Sequence, residues 1–330
     1  MRAIVYAEYG PPEVLRFAEV ATPTPKDGEV LVRIHAASVN PLDWHFLRGA
    51  PYLVRAMTGV RKPKDGRLGV DLAGQVEAVG RNVTQFHPGD GVFGSSRGAL
   101  AEYICAAEKA LVRKPANVTF EQAAAVPVAG ITALQGLRDK GRIQPGQKVL
   151  INGAAGGVGT FAVQIAKSFG ADVTGVCSTR NVDLVRSIGA DHVIDYTQED
   201  FTRGGQRYDL ILDSVGNHSL SDCRRALTPD GTLVLVGGPD KGRWLGPLTG
   251  MLKAAVLSRF VSQKLLPFLA HLNQSDLMVL RGLLEAKKVT PVIDRRYPWS
   301  EVPEAIRYLE EGHTRGKIVI TMEDPLKAPE

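Results

Sequence analysis

The stretch Asn152-Gly153-Ala154-Ala155-Gly156-Gly157-Val158-Gly159 has the residue types and spacing of a turn that meets phosphate. It follows a short apolar run, Lys148 to Ile151, and the apolar-periodic helix Gly156 to Phe169 starts inside it. Its register, Ala154-x-Gly156-x-x-Gly159, is that of the dinucleotide fingerprint with alanine in the first glycine's place. In such a turn Gly156 lets the backbone approach a pyrophosphate and Gly159 lets the helix lie close on its strand. The helix start, with Ala155, Gly157 and Val158, faces the negative charge. The next strand, Asp172 to Cys177, leads into Ser178-Thr179-Arg180 without the Asp or Glu that accepts ribose hydroxyls in an NAD site. A Ser178 hydroxyl and an Arg180 guanidinium donate instead to a 2′-phosphate, so the expected cofactor is NADPH.

These groups need a strand-helix-strand frame, and the chain supplies one. Helix Asn181 to Ile188, strands His192 to Ile194 and Leu210 to Asp213, helix Leu220 to Leu227 and strand Gly231 to Val236 continue the alternation. The expected fold class is α/β, a parallel sheet covered by helices on both faces. Before it, from Met1 to about Val118, short β segments such as Val30 to Ala37 and Asp71 to Val79 are broken by turns, as in a small β-rich domain. Thr119 and Gln122 have capping-box spacing and mark the change of texture. After Gly238 an apolar-basic stretch reads as helical to about His271, with Leu252, Val256 and Phe260 four apart, and Leu257, Val261 and Leu265 likewise. Gly316 to Thr321 reads as a last strand that returns to the first domain.

Composition narrows the function classes. Of 330 residues, 40 are basic and 35 acidic, a small excess spread along the chain, so no nucleic-acid partner is expected. Three isolated cysteines, Cys105, Cys177 and Cys223, provide neither a disulfide framework nor a four-cysteine zinc lobe. The longest nearly uncharged stretch, Gln122 to Leu137, contains Pro127 and falls short of the ~20 residues of a membrane helix. A cytoplasmic protein with no membrane partner is expected.

Several segments together resemble the zinc-independent quinone oxidoreductases of the medium-chain dehydrogenase/reductase superfamily, the group that includes zeta-crystallin. They are MRAIVYAEYGPPEVL at the start, ASVNPLD at Ala37 to Asp43, HPGDGVFG at His87 to Gly94 and AGITAL at Ala129 to Leu134. AAGGVG at Ala154 to Gly159, GADHVIDY at Gly189 to Tyr196 and GHTRGKIVI at Gly312 to Ile320 complete the set. The resemblance implies a GroES-like domain formed by residues 1–122 and 266–330, a Rossmann domain over residues 123–265, a cleft where cofactor and substrate meet, and a homodimer. Zinc-dependent relatives place a Cys and a His ligand where this chain has Asn40 and Val70, so no metal is expected.

Without a Lewis acid, alcohol oxidation gives way to reduction of acceptors that are already activated, quinones and α,β-unsaturated carbonyls. By resemblance Asn40 lies near the nicotinamide ribose and the substrate, where its amide donates a hydrogen bond. Asp43 orients that loop or a ribose hydroxyl, His45 supplies a proton, and Tyr52 walls the pocket. Thr132 faces the nicotinamide end of the cofactor, Tyr196 the adenosine phosphate, and Gly216 and Gly237 the nicotinamide half. Arg315 and Lys317 add positive charge at the cofactor phosphates. The alternatives are an NADPH-binding structural or regulatory protein without turnover and, further off, a zinc-type alcohol dehydrogenase.

Overall fold

The computed structural model describes residues 1–236 and 262–322. The chain divides into two compact units, one of Met1–Ala129, Leu272–Lys287 and Pro291–Glu330, the other of Gly130–His271 and Lys288–Thr290. These crossings lie later than the expected ones after residues 122 and 265. The helix Phe120–Ala124 stays with the β-rich unit, the first crossing falls inside the helix Pro127–Gln135, and the strand Lys264–Pro267 completes the other unit's sheet before the chain leaves it.

In the first unit, β1 (Arg2–Val5) and β2 (Arg16–Glu19) form an antiparallel pair. A seven-stranded sheet is built from β3 (Glu29–Val39), β4 (Asp71–Val79), β5 (Gly91–Ser95), β6 (Tyr103–Ala107), β7 (Leu111–Arg113), β14 (Ile293–Pro298) and β15 (Lys317–Thr321). Its order is β14-β15-β3-β4-β5-β7, with β6 also on β3. Three strands therefore pair with β3, which explains why so many of its residues are buried. β3 continues past Ala37 to Val39 and delivers Asn40 to the start of helix α1 (Pro41–Arg48). A short helix, α2 (Tyr52–Thr58), follows. Ile4, Leu47, Val302, Ile306 and Ile318 pack in one core cluster, and Val30, Val32, Leu72 and Val92 in another. Helix α3 (Phe120–Ala124) starts on the expected box: the Thr119 hydroxyl accepts from the Gln122 amide at 3.2 Å, and the Gln122 side chain accepts from the Thr119 amide at 3.0 Å. Helix α4 (Pro127–Gln135) comes next.

The second unit holds a six-stranded parallel sheet of β8 (Lys148–Asn152), β9 (Asp172–Cys177), β10 (His192–Asp195), β11 (Tyr208–Asp213), β12 (Leu227–Leu235) and β13 (Lys264–Pro267). The order β10-β9-β8-β11-β12-β13 runs outward in opposite directions from β8 and β11, so the chain reverses sheet direction between these two strands. Such a reversal opens a crevice at the carboxyl ends of the strands. Val149, Leu150 and Ile151 are fully buried, as expected of a central parallel strand covered on both faces. β13 corrects the helical reading of the stretch up to His271. Lys264–Pro267 pairs in parallel with β12, and Leu265 packs with Leu150, Ile211 and Leu233. A run of four residues fits a strand or a helical turn equally by spacing, and pairing with β12 decides. Residues 237–261, with Gly237 and most of that stretch, lie outside the described residues.

Candidate functional site

The phosphate turn forms where β8 ends. Gly153 takes φ +85, a conformation that favours glycine, and the Ala154 amide then donates to the Val176 carbonyl of β9 at 3.0 Å. Gly153, outside the expected set of contacts, is thus the residue that makes the sharp bend. Gly156 caps helix α5 (Gly157–Ser168) in extended conformation, φ −79 and ψ 176. A Cβ added to Gly156 would meet only the Gly153 carbonyl oxygen, at 3.4 Å, whereas one on Gly159 would lie 2.0 Å from that same oxygen. The two glycines therefore do different work: Gly159 is required by packing inside the turn, and Gly156 leaves open space beside the first-turn amides of α5. Those amides have no acceptor within the helix. An open cradle at the start of a helix fits a pyrophosphate.

The neighbouring strand ends add polar groups the sequence reading did not single out. The buried Asn152 side chain donates to Asp213 Oδ1 at 2.8 Å and to Asn217 Oδ1 at 2.9 Å. Asp213 Oδ1 also accepts from the Val215 and Gly216 amides at 3.0 and 2.9 Å, which fixes the loop carrying Gly216 (φ +69). At the other side, Ser178 accepts from the Asn181 amide group at 3.2 Å, and Arg180 is exposed in the same turn. Tyr196 is 55% exposed, and its backbone amide donates to the Cys177 carbonyl at 3.0 Å.

The register of β10 on β9 sets Asp195 opposite Cys177. β9 itself ends without a carboxylate, and Asp195 of the adjacent strand lies beside that end. Asp195 accepts from the Thr179 hydroxyl at 2.6 Å and from the Thr197 hydroxyl and amide at 2.8 and 3.0 Å. The Thr179 hydrogen bond, above all, holds its carboxyl below the usual range.

In the first unit three strands converge on Asn40. The antiparallel register Ile318↔Val39 brings the start of β15 beside the end of β3, and Ser38↔Asp71 does the same for the start of β4. Asn40 (3% exposed), Asp43, Asp71 and Lys317 (3%) are all buried there. The Asn40 side chain donates to Asp71 Oδ2 at 2.9 Å and accepts from Lys317 Nζ at 2.5 Å. Lys317 Nζ also lies 3.3 Å from the Val39 carbonyl and 3.4 Å from Asp71 Oδ2. Asp71 accepts further from the Ser38 hydroxyl at 2.8 Å and the Val128 amide at 3.0 Å. This corrects the expectation for Lys317. Its ammonium is committed to three buried acceptors, which leaves it no donor for a cofactor phosphate. Arg315 is exposed, and its backbone amide donates to Asp294 at 2.9 Å.

The other expected residues surround α1, α2 and α4. Because a carbonyl only accepts, the 2.8 Å contact of His45 Nδ1 with the Ala50 oxygen puts a proton on Nδ1. The neutral ring then has Nε2 as an acceptor, so His45 gives up a proton there only when charged. Its ring stacks on Trp44 with centroids 3.8 Å apart. The Arg55 guanidinium lies 4.8 Å over the Tyr52 ring and 4.7 Å over Tyr9, and Arg55 Nε donates to the Gly49 carbonyl at 2.9 Å. Thr132 is buried on α4.

Asp43 accepts the Asn40 amide through Oδ2 at 2.7 Å, while Oδ1 has no partner among the described residues. Burial pushes its carboxyl up to about 7; the Asn40 amide opposes this, the Asp71 charge adds to it, and Lys317 opposes it. Unfolded, an aspartate titrates at about 3.9. Between these values the folded protein holds a proton that the unfolded chain has released. The group's contribution to stability is therefore complete below about pH 4 and is lost as pH rises through about 7. Ionising it in place costs on the order of 4 kcal/mol. An Asp43→Asn protein lacks this titration, so the stability of the wild type relative to it is expected to fall between about pH 4 and pH 8. Urea midpoints measured side by side check this, and a gap that stays constant over that range contradicts it.

Among the described residues there is no group of three or more His, Cys, Asp or Glu side chains arranged to hold a metal. Nor is there, among them, a helix long and apolar enough to cross a membrane. Two domain families match the chain: the alcohol dehydrogenase GroES-like domain over residues 26–116 and the zinc-binding dehydrogenase over residues 188–320. The chain is 35% identical to the NAD(P)H oxidoreductase RTN4IP1, mitochondrial, of Mus musculus, across 98% of this chain and 89% of that protein. It is also 35% identical to the 2-methylene-furan-3-one reductase of Solanum lycopersicum, across 97% of this chain and 79% of that one. Among solved structures it is similar to the Escherichia coli quinone oxidoreductase complexed with NADPH. That likeness has a TM-score of 0.81 and 26% identity over 97% of this chain and all of the other (100%).

Proposed function

Because the chain belongs to the quinone oxidoreductases of the medium-chain dehydrogenase/reductase superfamily, we propose that it is an NADPH-dependent, zinc-independent reductase of quinones or α,β-unsaturated carbonyls. The observation that carries this reading is the cradle over Gly156, open where a pyrophosphate needs the backbone bare. NADPH held there would supply the hydride for the acceptor, with solvent supplying the balancing proton. Gly156, Gly157 and the first amides of α5 hold the phosphates, and Gly216 sits on the loop that Asp213 secures. Ser178 and Arg180 take the 2′-phosphate.

On the acceptor's side we assign Asn40 as the hydrogen-bond donor to its oxygen, with Asp43 holding the loop, His45 and Tyr52 beside it. Zinc independence is supported by the donor set. The Asn40 side chain is already committed to Lys317 and Asp71, and the Val70 side chain has no atom that binds a metal. A homodimer belongs to the same reading; among the described residues β13 ends the strand order, and Leu269 just after it is 79% exposed.

The test of the activity is NADPH consumption with 1,4-benzoquinone, naphthoquinones and short enones in metal-free buffer, and no turnover with any of them removes the proposal. Preference for NADPH has its own test. A charge-assisted hydrogen bond is worth roughly 1.5 to 3 kcal/mol, so Arg180→Ala is expected to raise KM for NADPH by about 10- to 100-fold. KM for NADH should change by less than about threefold, because NADH has no 2′-phosphate to lose. Equal changes for the two cofactors would overturn the assignment.

A further inference from the structure

Asn40 is held at both ends of its amide by groups that each have one hydrogen-bonding role. A lysine ammonium only donates, and an ionised carboxylate only accepts. Lys317 Nζ faces Asn40 Oδ1, and Asp71 Oδ2 faces Asn40 Nδ2. Rotating the amide by half a turn would set NH₂ against ammonium and oxygen against carboxylate at a buried site. The side chain therefore has one orientation. Lys317 has three donors, and the structure gives it three acceptors, Val39 O, Asn40 Oδ1 and Asp71 Oδ2. Asn40 keeps a second N–H on Nδ2 that has no partner among the described residues.

We infer that Lys317 is the positioning residue that aims the Asn40 amide and strengthens its remaining N–H as the hydrogen-bond donor to the acceptor's carbonyl oxygen. A cation on the amide oxygen withdraws electron density through the conjugated O–C–N unit, and hydrogen bonds in series reinforce one another in a medium without water. The donor is thus fixed before negative charge develops on the acceptor, which is the condition for efficient stabilisation. The inference rests on the proposed reduction of a carbonyl-activated acceptor, and it adds a residue that lies 277 positions from Asn40 in the chain.

The test compares the wild type with Lys317→Met and with the double variant Lys317→Met/Asp71→Asn, in which both members of the Lys317–Asp71 ion pair lose their charge. For each, NADPH affinity is read from cofactor fluorescence, thermal stability from melting, and kcat and KM from reduction of a short enone. Loss of one such donor costs about 10²–10³ in kcat, and losing only its aim and polarisation is expected to cost about 10- to 100-fold. NADPH affinity and acceptor KM should stay within about threefold, a split that general loosening of the unit would not produce. The double variant should fold even where the single one does not and show the same loss of kcat. The inference is overturned if kcat of the double variant stays within about threefold of wild type, or if kcat and NADPH affinity fall in parallel. Failure of the wild type to reduce any enone or quinone would instead remove the activity on which the inference rests.

Discussion

A Gly156→Val protein is expected to fold and melt like the wild type and to bind NADPH at least about 100-fold more weakly. Gly156 has extended backbone angles that any residue adopts, and a Cβ there touches only one atom, at 3.4 Å. The free protein therefore has room for the added Cβ. A bound pyrophosphate does not, because its oxygens need the first amides of α5 at hydrogen-bonding distance. Losing two or more charge-assisted hydrogen bonds at about 1.5–3 kcal/mol each accounts for the expected factor. Gly159 provides the contrast. A Cβ at Gly159 would lie 2.0 Å from the Gly153 carbonyl and 2.8 Å from Ala154 Cα, all backbone that cannot yield without opening the turn. Gly159→Ala is expected to lower the melting temperature and NADPH affinity together. Cofactor fluorescence titrations beside thermal melts separate the two behaviours, and NADPH affinity retained by Gly156→Val would refute the phosphate role of the cradle.

That turn was legible in the sequence because its causes are local: an apolar strand, a glycine bend and a helix start fall between Lys148 and Gly159. The Thr119 box was legible for the same reason. Asp195 was not, since it became a neighbour of Ser178-Thr179-Arg180 only through the pairing of β10 with β9. Lys317 shows the limit most clearly. In the sequence it stands in a Gly-Lys pair near Arg315 and reads as positive charge for the cofactor phosphates. The register of β15 on β3 buries it at Asn40. Asn40 could be singled out by resemblance, but the charges that fix its amide come from the starts of two other strands. Local pattern specified which elements form; sheet order specified which side chains share their ends.

Asp71→Ala is expected to lose about 3–5 kcal/mol of stability in the unit that contains it, the usual cost of stranding one partner of a buried ion pair. Asp71 accepts from Ser38, Asn40, Val128 and Lys317, and both it and Lys317 are inaccessible to solvent. Removing the carboxylate leaves the lysine with only the Val39 carbonyl and the Asn40 oxygen, neither of which carries charge. Burial already pushes the Lys317 ammonium below the usual lysine range, and Asp71 is the first of the charges that push it back. Without Asp71 the lysine must lose its proton or draw in water, and either outcome loosens the ends of β3, β4 and β15. Adding Lys317→Met to Asp71→Ala removes the stranded cation, and methionine fills much of the same volume with apolar atoms. The double variant should therefore be more stable than Asp71→Ala alone, recovering about half of the loss or more. Urea midpoints for the wild type, both single variants and the double variant close the cycle. Strictly additive losses would show that Asp71 and Lys317 act independently, and the buried pair would then have no role in holding Asn40.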